Sequence, residues 1–203
     1  PSDLAEFPLF VEYALQQQGV RLITVNGLTY RWVGTHYALW ERERLVGWLT
    51  SLARSQTRRR GNNEENRYHP FLNSGTIGAA LAWIQTASEI PANTVNPAGM
   101  VNCRNGVLEV SWEGRNPVAT LVPHDQDRHF FIDPPGAVYD PEADPKYADQ
   151  LLECLPEDSR RLFLQIAAAT LDIKTVRFIA DRVPAMLMIG EGKNGKDTLR
   201  EAL

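Results

Sequence analysis

The residues best suited to chemistry are Gly190-Glu191-Gly192-Lys193-Asn194-Gly195-Lys196-Asp197-Thr198. They fit the pattern G-x-x-x-x-G-K, in which glycines let successive backbone N–H groups converge on phosphate oxygens while the lysine adds its ammonium. Lys196 would contact β- and γ-phosphates in the catalytic role, and a helix starting just beyond it would add its positive N-terminal end. The next position ordinarily holds Ser or Thr, whose hydroxyl helps to hold magnesium. Here it is Asp197, so the expected magnesium contact is that carboxylate, or Thr198 after a one-residue shift. The ligand suited to such a loop is ATP with Mg2+. The plainer alternative is a glycine-rich surface turn after an edge strand.

Two further constellations carry charge. Arg54, Arg58, Arg59, Arg60 and Arg67 crowd one connection whose only acids are Glu64 and Glu65. They could neutralise phosphates of a nucleic acid, with Tyr68 and Trp48 near enough in sequence to stack on bases. The bland alternative is a solvated loop. His124-Asp125-Gln126-Asp127-Arg128-His129 invites a metal reading through its two His and two Asp, but without a third well-spaced ligand cluster it reads as a polar loop after a strand. Trp32, Trp40, Trp48, Trp83 and Trp112 fall mostly on apolar faces, so core packing is expected of each. No Ser-His-Asp or Cys-His arrangement stands out.

These residues need elements to hold them. The all-apolar run Ala185-Met186-Leu187-Met188-Ile189, between Pro184 and Gly190, suits a buried parallel strand leading into the glycine loop. Upstream, a first helix is expected to begin near Pro8, since proline is tolerated in a first turn. Asn26-Gly27 between Leu22-Ile23-Val25 and Leu28-Tyr30-Trp32 predicts a β-hairpin. Leu45, Trp48, Leu49 and Leu52 lay an apolar stripe along a helix from Trp40 to Ala53. The next helix begins near Ser74, with Ile77, Ala80, Leu81, Ile84 and Ala87 on one face. Turn residues at Asn105-Gly106 and from Gly114 to Pro117 separate three strands of a meander, Met100–Cys103, Val107–Trp112 and Ala119–Val122. Helical spacing returns over Lys146–Leu155 and Glu157–Leu171. The expected fold class is α/β: an α+β domain with hairpin and antiparallel meander over 1–140, a helical connector over 141–183, and the start of a P-loop ATPase over 184–203.

Composition narrows the classes. With 203 residues, 43% hydrophobic and 23% charged, the chain can bury a core and is neither fibrous nor disordered. The apolar run at 185–189 is far too short to span a bilayer, and no secretory leader opens the chain, so no membrane partner is expected. Cys103 and Cys154 are far apart and outside any Cys-x-x-Cys spacing, which fits a reducing, cytoplasmic setting. A net charge of −4 argues against a surface basic throughout but permits a local patch, and among the cations Arg outnumbers Lys by 17 to 4. The absence of an initiator Met, and an end seven residues after Lys196, suggest a piece of a longer protein.

The loop Gly190-x-Gly192-x-Asn194-Gly195-Lys196 resembles the Walker A motif of superfamily 3 helicases, specifically the primase-helicases of phages, plasmids and large DNA viruses. Asn105-Gly106-Val107-Leu108, His124-Asp125, Val138-Tyr139-Asp140-Pro141 and the Leu162-to-Leu171 helix resemble, in order and spacing, the domain preceding the ATPase in that family. The likeness covers roughly residues 102–203. It implies an AAA+-like ATPase acting as a hexameric ring on DNA, single-stranded in its path, often with a primase domain in the same polypeptide. Asp197 departs from the family's hydroxyl residue. No acidic second motif, polar sensor or arginine finger lies within the 203 residues, so hydrolysis is expected of the longer protein and not of this chain alone. The competing expectations are a non-enzymatic module binding nucleic acid or a replication partner, and another P-loop enzyme such as a kinase.

Overall fold

Asn26 and Gly27 both take positive φ, 50° and 78°, and so make the two-residue turn that matches the twist of the strands it joins. The structure, a computed structural model, describes residues 3–59, 67–113, 116–170, 176, 177 and 181. Strand β1 (Leu22–Val25) pairs antiparallel with β2 (Leu28–Trp32), from Leu22 opposite Arg31 to Val25 opposite Leu28. A third strand, β3 (Tyr37–Leu39), pairs with β2 through Trp32 and Tyr37.

Alternation along these strands makes two faces. One carries Ile23, Val25, Tyr30, Trp32 and Tyr37 and packs with Ile90, Val95, Phe130 and Ile132. On the other, Leu22 joins the helical cluster, and Thr24 Oγ1 bonds both Thr29 Oγ1 (3.3 Å) and Ser88 Oγ (2.8 Å). Ser88 caps the C-terminal end of a helix, so this run of buried hydroxyls ties helix to sheet with its polar groups satisfied.

Three helices form the larger core. Helix α1 (Asp3–Gln17) contributes Phe7, Val11 and Leu15; α2 (Arg42–Ser55) contributes Leu45, Leu49 and Ala53; α3 (Ser74–Ala87) contributes Ala80, Leu81 and Ile84. The i, i+4, i+8 spacing in the first two puts each set on one stripe. Helix α3 starts at Ser74 because the Asn73 side chain accepts from the Thr76 N–H at 2.8 Å. Helix α1 ends at Gln17, and Gly19 just beyond it has a φ of 61° that lets the Val20 N–H reach the Leu15 carbonyl at 2.9 Å.

Helix α1 begins at Asp3, not near Pro8 as expected, and Pro8 lies inside it. The missing N–H and the ring's crowding fall on the carbonyl four residues back, in the first turn, where a lost bond costs least. Phe7 and Pro8 are both buried, so packing holds the turn in place.

By its contacts the chain divides into two units, Pro1–Pro97 with His124–Pro135, and Ala98–Pro123 with Gly136–Leu203. The second unit contains a meander of β6 (Met100–Cys103), β7 (Gly106–Glu113) and β8 (Asn116–Val122), each antiparallel to the next. Cys103 pairs with Gly106, so the connection is Arg104-Asn105 and the glycine belongs to the strand. Its role is close approach: a Cβ there would lie 2.5 Å from the Val122 carbonyl oxygen. Trp112, expected in a core, is 60% exposed near the end of β7. Beyond the meander, α4 (Lys146–Leu152) and α5 (Glu157–Thr170) bury Leu152 and Phe163 with Leu151 and Leu155 alongside. Glu157 and Asp158 open α5 with the charge its N-terminal end favours. The described elements are thus mixed helices and small antiparallel sheets, an α/β class. No described helix is long and apolar enough to cross a membrane.

Candidate functional site

The glycine loop Gly190 to Thr198, with Lys196, Asp197 and Thr198, lies outside the described residues, as do the apolar run before it and Arg60. The other arginines of the cluster are placed by local structure. Arg54 is in the last turn of α2, where a cation suits the negative helix end. Just beyond, β4 (Arg58–Arg59) pairs antiparallel with β5 (Arg67–Tyr68), setting Arg58 opposite Tyr68 and Arg59 opposite Arg67. Arg58, Arg59 and Arg67 therefore share one short two-stranded ribbon that follows the helix carrying Arg54.

They are not equivalent. Arg58 Nη2 donates to Glu6 Oε2 of α1, and its guanidinium sits 5.4 Å from the centre of the Phe71 ring. Phe71 in turn stacks on Phe7 at 5.0 Å, so Arg58 fastens the ribbon to the helical core. Arg59 and Arg67 stand opposite each other in the register of the ribbon. Tyr68 is 43% exposed. Trp48 packs against the helical cluster with its ring 5.6 Å from that of Trp40, which commits it to the core more than to stacking on a ligand.

The His124-to-His129 segment is held by hydrogen bonds within itself and to Arg21 and Tyr37. Asp125 Oδ1 accepts from the Asp127 N–H at 2.8 Å, and the fully buried His129 accepts at Nδ1 from the Asp125 N–H at 3.0 Å. Arg21 pairs with Asp127 at 2.7 Å, and Tyr37 donates its hydroxyl proton to the Gln126 carbonyl at 2.6 Å. No group of three or more His, Cys, Asp or Glu among the described residues could hold a metal ion. Burial lowers the pKa of His36, opposed by Asp133 and reinforced by His124. Burial likewise raises that of the Cys103 thiol, away from nucleophilic use.

Tyr37 makes the loop's attachment measurable. Burial pushes its hydroxyl from 10.0 to about 12, with Arg21 lowering it and Asp127 raising it by lesser amounts. A folded-state value above the unfolded one means the contribution is complete below about pH 10 and is lost as pH rises through about 12. Tyr37→Phe should cost about 1 kcal/mol at neutral pH, because the Gln126 carbonyl loses its donor, and should remove that alkaline loss. Denaturant unfolding of both proteins from pH 8 upward checks this; parallel curves would refute it.

Two segments quoted for the family resemblance meet within the second unit. Asn105 Nδ2 donates to the Tyr139 carbonyl at 2.8 Å, and the Tyr139 N–H donates to Asn105 Oδ1 at 2.9 Å. The Arg104 N–H adds a bond to the Ala137 carbonyl at 2.7 Å. Sequence offered no signal for this pairing across 34 positions. No protein-family model matches the chain, and no curated protein matches it.

Proposed function

We propose that this chain is a segment of a superfamily 3 primase-helicase that couples or loads the ATP-driven motor on DNA. The observation that carries the proposal is the Gly190-to-Lys196 loop, whose glycines and lysine suit the phosphates of ATP and whose neighbours Asp197 and Thr198 suit Mg2+. The reciprocal bonding of Asn105 with Tyr139 supports it, since two of the family-like segments then form one local structure. In this reading the motor is a hexamer, a primase domain shares its polypeptide, and the setting is cytoplasmic, where the exposed free Cys154 is at ease. The test is ATP hydrolysis by a polypeptide continuing through the whole ATPase, compared with its Lys196→Ala variant.

A second reading, a non-enzymatic grip on nucleic acid, draws on the facing Arg59 and Arg67. If Arg54, Arg59 and Arg67 track a single strand, log affinity for an oligonucleotide should fall against log salt with a slope of about −2, from roughly −0.7 per phosphate. Replacing those three by Ala should flatten the slope and weaken all sequences alike, because backbone contacts carry no base information. Arg58 is left intact in this experiment, since its pairing with Glu6 makes it part of the fold. Filter binding over a salt series decides: an unchanged slope in the triple variant removes the ribbon from any DNA path.

A further inference from the structure

The first unit contains a cleft of about 330 Å³ between the C-terminal ends of α1 and α3 and the start of β1. That volume lies in the range of small-ligand sites. Its walls include the half-buried aromatic side chains of Trp83 and Phe130, and its floor includes Ile84, which is 2% exposed. Three charged residues line it: Glu12, Arg21 and Glu89.

The electrostatics select a sign. Arg21 is engaged by Asp127 at 2.7 Å. Glu12 has only a 3.5 Å contact from Gln16 on its carboxylate, and Glu89 has no ion-pair partner among the described residues. Neither α1 nor α3 has a basic residue in its last turn to offset the negative helix end beside the cleft. An anion would meet two carboxylates and two helix C-termini; these favour a cation, and the aromatic side chains of Trp83 and Phe130 line the same cleft.

The backbone that carries the two carboxylates is tied into the fold. Glu89 forms a parallel bridge with Thr24 of β1: the Thr24 N–H bonds the Ser88 carbonyl at 2.7 Å and the Ile90 N–H bonds the Thr24 carbonyl at 2.9 Å. Its backbone is therefore part of the sheet edge, and Glu12 rides on a helix anchored by Val11 and Leu15. Groups held on strands and helices keep their geometry without a ligand.

We propose that this cleft binds an organic cation, an amidinium, guanidinium or ammonium group on an apolar stem, with the stem against Trp83 and Phe130 and the charge met by Glu12 and Glu89. The proposal is independent of the ATPase reading. The same group can arrive on a free small molecule or on an arginine side chain of another protein. Two probes separate these sources: benzamidine and the capped peptide acetyl-Ala-Arg-Ala-amide.

The experiment is an amide NMR titration of the whole chain at low salt, with each probe up to about 10 mM, enough to register millimolar affinities. Shifts are expected at Glu12 and from Trp83 to Ile90, with benzamidine binding about tenfold tighter than its uncharged counterpart benzamide. The Glu12→Gln, Glu89→Gln double variant should keep its spectrum and lose that preference. Tighter binding of the peptide assigns the cation to a protein partner, and tighter binding of benzamidine to a free compound. Equal affinity for benzamide and benzamidine in the parent chain, or no shifts with either cation, overturns the proposal.

Discussion

Lys196→Ala, made in a polypeptide that continues through a complete ATPase, is expected to lower ATP hydrolysis by about a thousandfold or more. Preorganised donors aimed at developing charge are worth about 3 to 4 kcal/mol each in a site that excludes water. A lysine ammonium between β- and γ-phosphates is such a donor with a full charge behind it. The fold of the first unit should be untouched, because its two clusters are built from residues between Phe7 and Ile132. Phosphate release at saturating ATP, alongside matched thermal melts, separates the outcomes. Hydrolysis within about tenfold of the parent would show that Lys196 is not the phosphate lysine and would sink the helicase reading with it.

What could be read from sequence follows the range of the interactions involved. Asn26-Gly27 announced its hairpin because the requirement for positive φ is met within two residues. Asn73 set the start of α3 through a bond three residues long. The meander was legible for the same reason, since turn residues and alternating strands are local. Longer reaches left no such trace. The third strand β3 is held by pairing to β2 and by the Tyr37 N–H bonded to the Phe131 carbonyl at 2.7 Å, and no periodicity in three residues marks it. Nor did sequence show that residues 124–135 return to the first sheet and satisfy Tyr37 there. The arginine cluster was legible as composition, but not the attachment of Arg58 to Glu6, 52 positions away, which sets one arginine apart from the rest. The cleft between α1 and α3 had no local mark at all, because its lining comes from four separate stretches.

Leu49→Ala should destabilise the first unit by about 3 to 5 kcal/mol. Leu49 is fully buried in the middle of α2, one turn from Leu45 and one from Ala53, with α1 and α3 packed around the same cluster. Removing its branched end takes away burial and leaves a cavity bounded by three helices that cannot all close in together. Against a usual domain stability of about 5 to 15 kcal/mol, that is enough to leave the helical core marginal. Leu9→Ala on the 65% exposed side of α1 is the matched control and should change stability by no more than about 0.5 kcal/mol. Tryptophan fluorescence in urea reports the right unit, since Trp40, Trp48 and Trp83 pack on this cluster and Trp32 on its neighbour, leaving only Trp112 in the other unit. The ribbon should loosen with the core, because Arg58 is held by Glu6 of α1 and by Phe71 of the same cluster. A cost below about 1 kcal/mol would mean that the helices close over the lost volume, and that this core is far more compliant than its packing implies.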